Sequence, residues 1–150
     1  MIHQLKRTQF LPMSLDKAWN FFSRPENLNE ITPKNMIFKI TSDVPDKMYE
    51  GLMITYKISP FLGIPMNWCT EITHIKEKAF FVDEQRIGPY KMWHHEHHFS
   101  DTDGGVLMTD ILTYDIGMGI IGRIAGDIFI HNKVRQIFEY RRQKLNELFI

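Results

Sequence analysis

The stretch Lys91–Ile116 reads KMWHHEHHFSDTDGGVLMTDILTYDI, and the fold turns on how it is parsed. Successive side chains of a strand point to opposite faces, so the two sets of alternate positions can be read separately. In the first half one set is Trp93, His95, His97 and Phe99, and the other is His94, Glu96 and His98. In the second half Val106, Met108, Leu112 and Ile116 share a face that is broken by Asp110 and Tyr114. Asp103-Gly104-Gly105 stands between the halves as a tight-turn signal. Two alternating runs joined in this way form an antiparallel hairpin, with the more apolar face of each strand turned inward.

The same period of two extends upstream. Strands are expected at about 36–41, 52–58, 66–72 and 80–88, with Gly88-Pro89 separating the last from 91–99 and a final strand at 106–116. Before them, Ile2–Leu11 reads as a first strand ended by Pro12. Ser14 is a suitable N-cap for a helix over Leu15–Phe22, and Pro25 opens a second short helix that Thr32-Pro33 stops. After the strands the period lengthens. Ile124, Ile128, His131, Val134, Phe138, Arg141, Leu145 and Leu148 recur at helical spacings in a closing helix from about Gly122 to Phe149. The expected architecture is α+β in one domain over 1–150: a seven-stranded antiparallel sheet, two short helices between strands 1 and 2, and one long C-terminal helix.

Composition narrows the function. Lys plus Arg and Asp plus Glu each number 18, so the formal charge is zero and the basic excess of a nucleic-acid binder is missing. The one cysteine, Cys69, excludes an internal disulfide and suits a reducing compartment. No apolar run approaches the ~20 residues that span a bilayer, and no signal-peptide core follows Met1. A cytoplasmic protein without membrane insertion, monomeric or weakly dimeric, is the expectation.

Three neighbouring strands place polar groups between apolar ones: His95 and His97, Asp110 and Tyr114, and Asp83 and Gln85 between Phe81 and Ile87. On strand 80–88, Phe80 and Val82 make the opposite face equally eligible to point inward. Buried polar groups without partners cost a few kcal/mol each, so these must pair with one another, with water or with a ligand. A packed, satisfied polar network and a small-molecule pocket both fit that requirement.

The segment Phe81-x-Asp83-x-Gln85-x-x-Gly88-Pro89-Tyr90-x-x-Trp93-x-His95-x-His97-x-Phe99 resembles the START-like (SRPBCC) superfamily, and is most similar to its stand-alone, polyketide cyclase/dehydrase-like bacterial members. Trp19-x-Phe-Phe-Ser-x-Pro25-x-Asn27-Leu28-x-x-Ile31-Thr32-Pro33 and Met108-x-Asp110-x-Leu112-x-Tyr114 extend the likeness over nearly the whole chain. The resemblance implies a helix-grip fold, its sheet wrapped around the last helix to leave a cavity for lipids, polyketides or other apolar molecules. Relatives include both binders and enzymes.

The candidate binding residues are Trp68, Gln85, Trp93, His95, His97, Met108, Asp110, Leu112, Tyr114, Ile128 and Phe138. Among them Gln85, His95, His97, Asp110 and Tyr114 would read the polar end of a small hydrophobic ligand. The leading expectation is a binder. In the enzymatic alternative, a cyclase, dehydratase or hydrolase, His95 or His97 would act as general base oriented by Asp110. An interaction module with no ligand is the third reading. Two histidines two residues apart on a strand can share a metal, with Asp83, Asp110 or His74 completing the set, and His94, Glu96 and His98 could hold one at the surface. No spacing fixes a ligand set, and no metal or cofactor is expected. Gly117-Met118-Gly119-Ile120-Ile121-Gly122 fits a dinucleotide-binding pattern. The helix after it leads into no further parallel strand, so the glycines are assigned to the turn instead.

Overall fold

Alternation over most of eighty residues calls for a sheet with one covered face, and the computed structural model has that arrangement. It describes residues 1–61, 63–117 and 120–150, with the side chains of 61 and 120–127 left out. In chain order the elements are β1 (Ile2–Leu11), α1 (Leu15–Phe22), two 3-10 turns (Pro25–Ile31 and Lys34–Met36), β2 (Lys39–Ile40), β3 (Met53–Phe61), β4 (Ile64–Lys76), β5 (Phe80–Ile87), β6 (Met92–Thr102), β7 (Gly105–Asp115) and α2 (Ile120–Phe149). The strands form one sheet in the order β1-β7-β6-β5-β4-β3-β2, antiparallel throughout.

Local chemistry sets the ends of the elements. Ser14 caps α1 as expected, its Oγ accepting from the Lys17 backbone N–H at 3.3 Å. Gly117 adopts φ +71° between β7 and α2, and a Cβ there would sit 2.6 Å from Lys91 Cβ. Gly119 and Met118 of the glycine pattern lie outside the described residues. The strand expected at 36–41 shrinks to Lys39–Ile40, because Met36 closes a 3-10 turn and Ile37 is left-handed at φ +48°. The second short helix runs from Pro25 to Ile31 and ends at Thr32-Pro33 as expected, but as 3-10 rather than α-helix, and a further 3-10 turn follows at Lys34–Met36.

Register shifts curve the sheet. The 13-residue β4 slips against β5 at Cys69/Thr70 and again at Ile72/His74, and β3 slips against β4 between Ile58 and Phe61. Bulges of this kind bend a strand and increase its twist. The core packs Val134, Phe138 and Leu145 of α2 with Leu11, Val106 and Leu112 of the sheet. Fully buried side chains such as Leu112 and Leu145 contribute about 1.5–3 kcal/mol each. Gln9 Nε2 ties β1 to the last turns of α2, donating to Arg142 O at 3.1 Å and to Asn146 Oδ1 at 2.8 Å.

The buried stripe of α2 is Ile130, Val134, Phe138 and Leu145, with Ile137 and Arg141 half-buried beside it. Ile128 is not part of it: the side chain is 65% exposed. Six positions before Val134, it stands about 120° around the helix from that residue, which turns it out to solvent. Leu148 is exposed as well, and the Ile124 side chain lies outside those described. Among the described residues no helix is long and apolar enough to cross a membrane.

Candidate functional site

Between the concave face of the sheet, the segment from Phe21 to Phe38 and one edge of α2 lies a cavity of about 160 Å³. Its wall is mostly apolar: Phe22, Leu28, Met36, Phe38, Met48, Ile54, Ile58, Ile72 and Ile137 contribute. An aromatic group closes one side. Trp68 meets Trp93 edge to face at 5.4 Å between ring centroids, and Tyr90 lies 5.7 Å from Trp68 and 4.6 Å from Trp93. Tyr56 stacks near Trp68, and its hydroxyl hydrogen-bonds to Thr70 Oγ1 at 2.7 Å, which also accepts from Trp68 Nε1–H at 3.0 Å.

The motif Gln85-x-x-Gly88-Pro89-Tyr90 builds the corner beside this wall. Gln85 Nε2 donates to Tyr90 O at 2.6 Å, and Tyr90 N–H donates back to Gln85 Oε1 at 3.1 Å. A Cβ at Gly88 would stand 2.4 Å from Gln85 Oε1, so only glycine leaves room for the clasp. Gln85 therefore holds the turn that sets Tyr90 into the wall. It does not line the cavity, contrary to its expected place as a reader of the ligand.

The polar end is built from β5, β6 and β7. Pairing opposes Asp83 to His95 and His97 to Asp110, with the inward alternation of β6 and β7 as read from the sequence. Asp83 also lines the cavity with Phe81, so the odd positions of β5 face inward. His97 Nε2–H donates to Asp83 Oδ2 at 2.6 Å, and His97 Nδ1 lies 3.1 Å from Asp110 Oδ1. His95 Nε2–H donates to Asp110 Oδ1 at 3.2 Å, and the two imidazole centroids are 3.8 Å apart. Phe81 stacks on His97 at 4.1 Å, and Phe138 meets His95 edge-on at 5.4 Å.

These contacts divide the charges. Burial pushes the Asp110 carboxyl up, but hydrogen bonds from His95 and His97 and their charges outweigh it and hold the group well below the usual carboxylate range. Asp83 is held low in the same way: burial is outweighed by the His97 hydrogen bond, the histidine charges and Arg141. Burial and the neighbouring His97 push His95 down. Burial lowers His97 too, but its hydrogen bonds to Asp110 and Asp83 win and raise it.

Four of the expected binding residues, Trp68, Trp93, His95 and His97, line the cavity. Met108, Asp110 and Phe138 border a separate recess of about 20 Å³ behind the histidines, large enough for about one water. Leu112 is packed at 0% exposure, and Tyr114 hydrogen-bonds to His131, so neither faces the cavity. Ile128 is on the outside of α2. His74 pairs with Thr73, away from the cluster.

Sequence reasoning passed over Arg141. It lines the cavity, its guanidinium lies 5.0 Å from the Phe138 ring, and its buried Nε–H has no partner among the described residues. The available signal was a charge three positions after Phe138 and four before Leu145, on an otherwise apolar stripe. Phe21 and Phe22 at the end of α1 also line the cavity, as does Met48 from a segment with no period to read.

Neither a family model nor a curated protein sequence matches the chain. Solved structures do. A Chromobacterium violaceum protein superposes with TM-score 0.73 at 9% identity, covering 98% of this chain and 97% of its own. Major latex-like protein 151 of Panax ginseng gives TM-score 0.69 at 16% identity over 100% and 99% of the two chains. Ara h 8.0201 gives 0.60 at 14% over 98% and 99%. At such identities the likeness speaks to the fold, and the chain has the START-like helix-grip fold.

Proposed function

We propose that this protein binds a small apolar or amphipathic molecule in the cavity, its apolar part against Trp68, Trp93, Tyr90 and Ile54, its polar end at Asp83, His95, His97 and Arg141. The observation that carries the reading is Arg141: it lines an apolar cavity, and its buried Nε–H has no partner among the described residues, which is costly unless an acceptor arrives. An acceptor-bearing head group, a carboxylate above all, matches a guanidinium. The 160 Å³ is close to the volume of a cavity known to take one benzene ring, so the buried part of the ligand is one ring or a short alkyl segment. Binding is favoured over catalysis because the imidazole protons already have carboxylate acceptors, and no nucleophile among the described residues lines the cavity free of a partner.

Native mass spectrometry of the purified chain tests this, together with titration of an anionic fluorescent naphthalene probe followed through Trp68 and Trp93. A co-purifying adduct or saturable probe binding, weakened by about tenfold in Arg141→Gln, is expected. No adduct and no saturable binding would overturn the reading and leave an interaction module. Turnover abolished by His95→Ala with probe affinity intact would replace it with the enzymatic alternative.

A further inference from the structure

The four ring nitrogens of His95 and His97 divide into two pairs. One pair, His95 Nε2 and His97 Nδ1, converges on Asp110 Oδ1 at 3.2 and 3.1 Å. The other pair, His95 Nδ1 and His97 Nε2, converges on Asp83 Oδ2 at 3.6 and 2.6 Å. Asp110 is 3% exposed and stands on the recess side, while Asp83, His95 and His97 border the cavity. One ligand atom from each of these three residues lies within 4.8 Å of the others.

Hydrogen bonding alone leaves this set unbalanced. With His95 Nε2–H given to Asp110, a neutral His95 ring leaves Nδ1, an acceptor, 3.6 Å from Asp83 Oδ2, another acceptor. Protonating that nitrogen as well would put two imidazolium rings 3.8 Å apart, a like-charge contact at a buried position. A cation placed between Nδ1, Nε2 and Oδ2 removes the conflict, because all three atoms then point lone pairs at it.

We infer that Asp83 Oδ2, His95 Nδ1 and His97 Nε2 form a binding site for one divalent transition-metal ion, of the zinc or ferrous type, with its remaining coordination positions open to the cavity. Two imidazoles and one carboxylate with no thiolate suit such ions. Bonds of about 2.0–2.2 Å set neighbouring ligand atoms about 3–3.5 Å apart. The His95–Asp83 distance of 3.6 Å lies just above that range, and the 2.6 Å His97–Asp83 contact must open by under about 1 Å as the ion displaces the proton there. Asp110 supplies what metal-bound histidines require, a buried acceptor on the far nitrogen that fixes tautomer and ring orientation, and one carboxylate serves both rings. Two carboxylates then balance the dication, and Arg141 is left as the uncompensated charge facing the open positions. The site stands whether or not an organic molecule also enters the cavity.

The test uses the full chain without a histidine tag, stripped with chelator and titrated with Co²⁺ as a spectroscopic probe. A visible ligand-field band saturating at one equivalent and displaced by Zn²⁺ is expected. Two paramagnetically shifted, exchangeable imidazole N–H signals should accompany it, from His95 Nε2–H and His97 Nδ1–H. His97→Ala should abolish the band. Should that variant lose its circular dichroism, Asp83→Asn takes its place, with the same loss expected. Asp110→Asn should weaken binding about 10–100-fold. The combined His94→Ala, His98→Ala variant should bind as the parent does. No saturation at one equivalent, or a band that follows His94 and His98 and survives His97→Ala or Asp83→Asn, would overturn the inference.

Discussion

The two faces of β6 carry the same residue type in opposite circumstances. On the outer face His94 pairs with Glu84 at 2.7 Å and His98 with Glu96 at 2.8 Å, all of them part-exposed. On the inner face His95 and His97 are buried, and their partners are two buried or nearly buried carboxylates on the neighbouring strands. An outer histidine that loses its acid turns to water. An inner one has no such recourse, so its partner is part of the fold as much as of the site. The chemistry of a histidine cluster on a strand is thus decided by parity, with residues one step apart belonging to different environments.

Removing the inner acceptor should break the contrast most strongly. Asp110→Ala leaves both imidazoles facing an unfilled position and should cost about 3–5 kcal/mol, the usual penalty for breaking a buried ion pair from one side. Urea unfolding of metal-stripped protein measures it. A loss below about 1 kcal/mol would mean that water enters the recess and replaces the carboxylate.

The next effect lies one turn away, where β5 enters β6. Gln85→Ala frees both backbone groups of Tyr90, and two lost hydrogen bonds at a part-buried corner should cost about 1–3 kcal/mol. Gly88→Ala should act in the same direction by pushing Gln85 aside. Near-ultraviolet circular dichroism follows the Tyr90–Trp93 pair, and an unchanged spectrum in both variants would refute the clasp.

That corner also shows where sequence reading stops. Alternation located the strands and put His95, His97 and Asp110 on inner faces, because a period of two is a property of the backbone. Gln85 satisfied the same rule yet turns its amide along the strand end to Tyr90, since a side chain with a rotatable terminus goes where donors are, whatever its parity. Ile128 failed for another reason: a helix tolerates several three-and-four ladders through one sequence, and only packing selects between Ile128 and Ile130. Met36 and Met48 reach the cavity from turns and loop, where no period exists. Arg141 was visible as a charge on an apolar stripe, but the orphaned Nε–H that gives it meaning belongs to the assembled structure.

A smaller effect separates the aromatic wall from the polar end. Tyr56→Phe removes one buried hydroxyl while Thr70 still accepts from Trp68, so about 0.5–1.5 kcal/mol should be lost. The same residue sharpens the picture through pH. Burial raises the phenols of Tyr56 and Tyr90 above the ordinary value of about 10. Both states keep the proton below that value, so this contribution is intact there. Above it the unfolded chain ionises first, and stability falls as pH rises toward the folded-state values. Tyrosinate absorbance should therefore show these two groups ionising only with unfolding, and Tyr56→Phe should remove one of them from that late step.

The least effect belongs to the outer face, and its smallness is the point. Glu96 and His98 form an ion pair only when His98 is protonated, and both side chains meet solvent. Each single replacement, Glu96→Ala or His98→Ala, should change stability by about 0.5 kcal/mol or less, with a coupling in the double-mutant cycle under about 1 kcal/mol. That coupling should shrink further as salt is raised, because exposed charges are screened. The corresponding cycle between His97 and Asp110 should show a several-fold larger, salt-insensitive coupling. If the two cycles agreed in size, the distinction between the faces would fail, and with it the reason for placing ligand chemistry on one of them. A difference confined to the inner pair would instead locate it on the inner face of the sheet, one residue along β6 from a surface histidine–carboxylate pair.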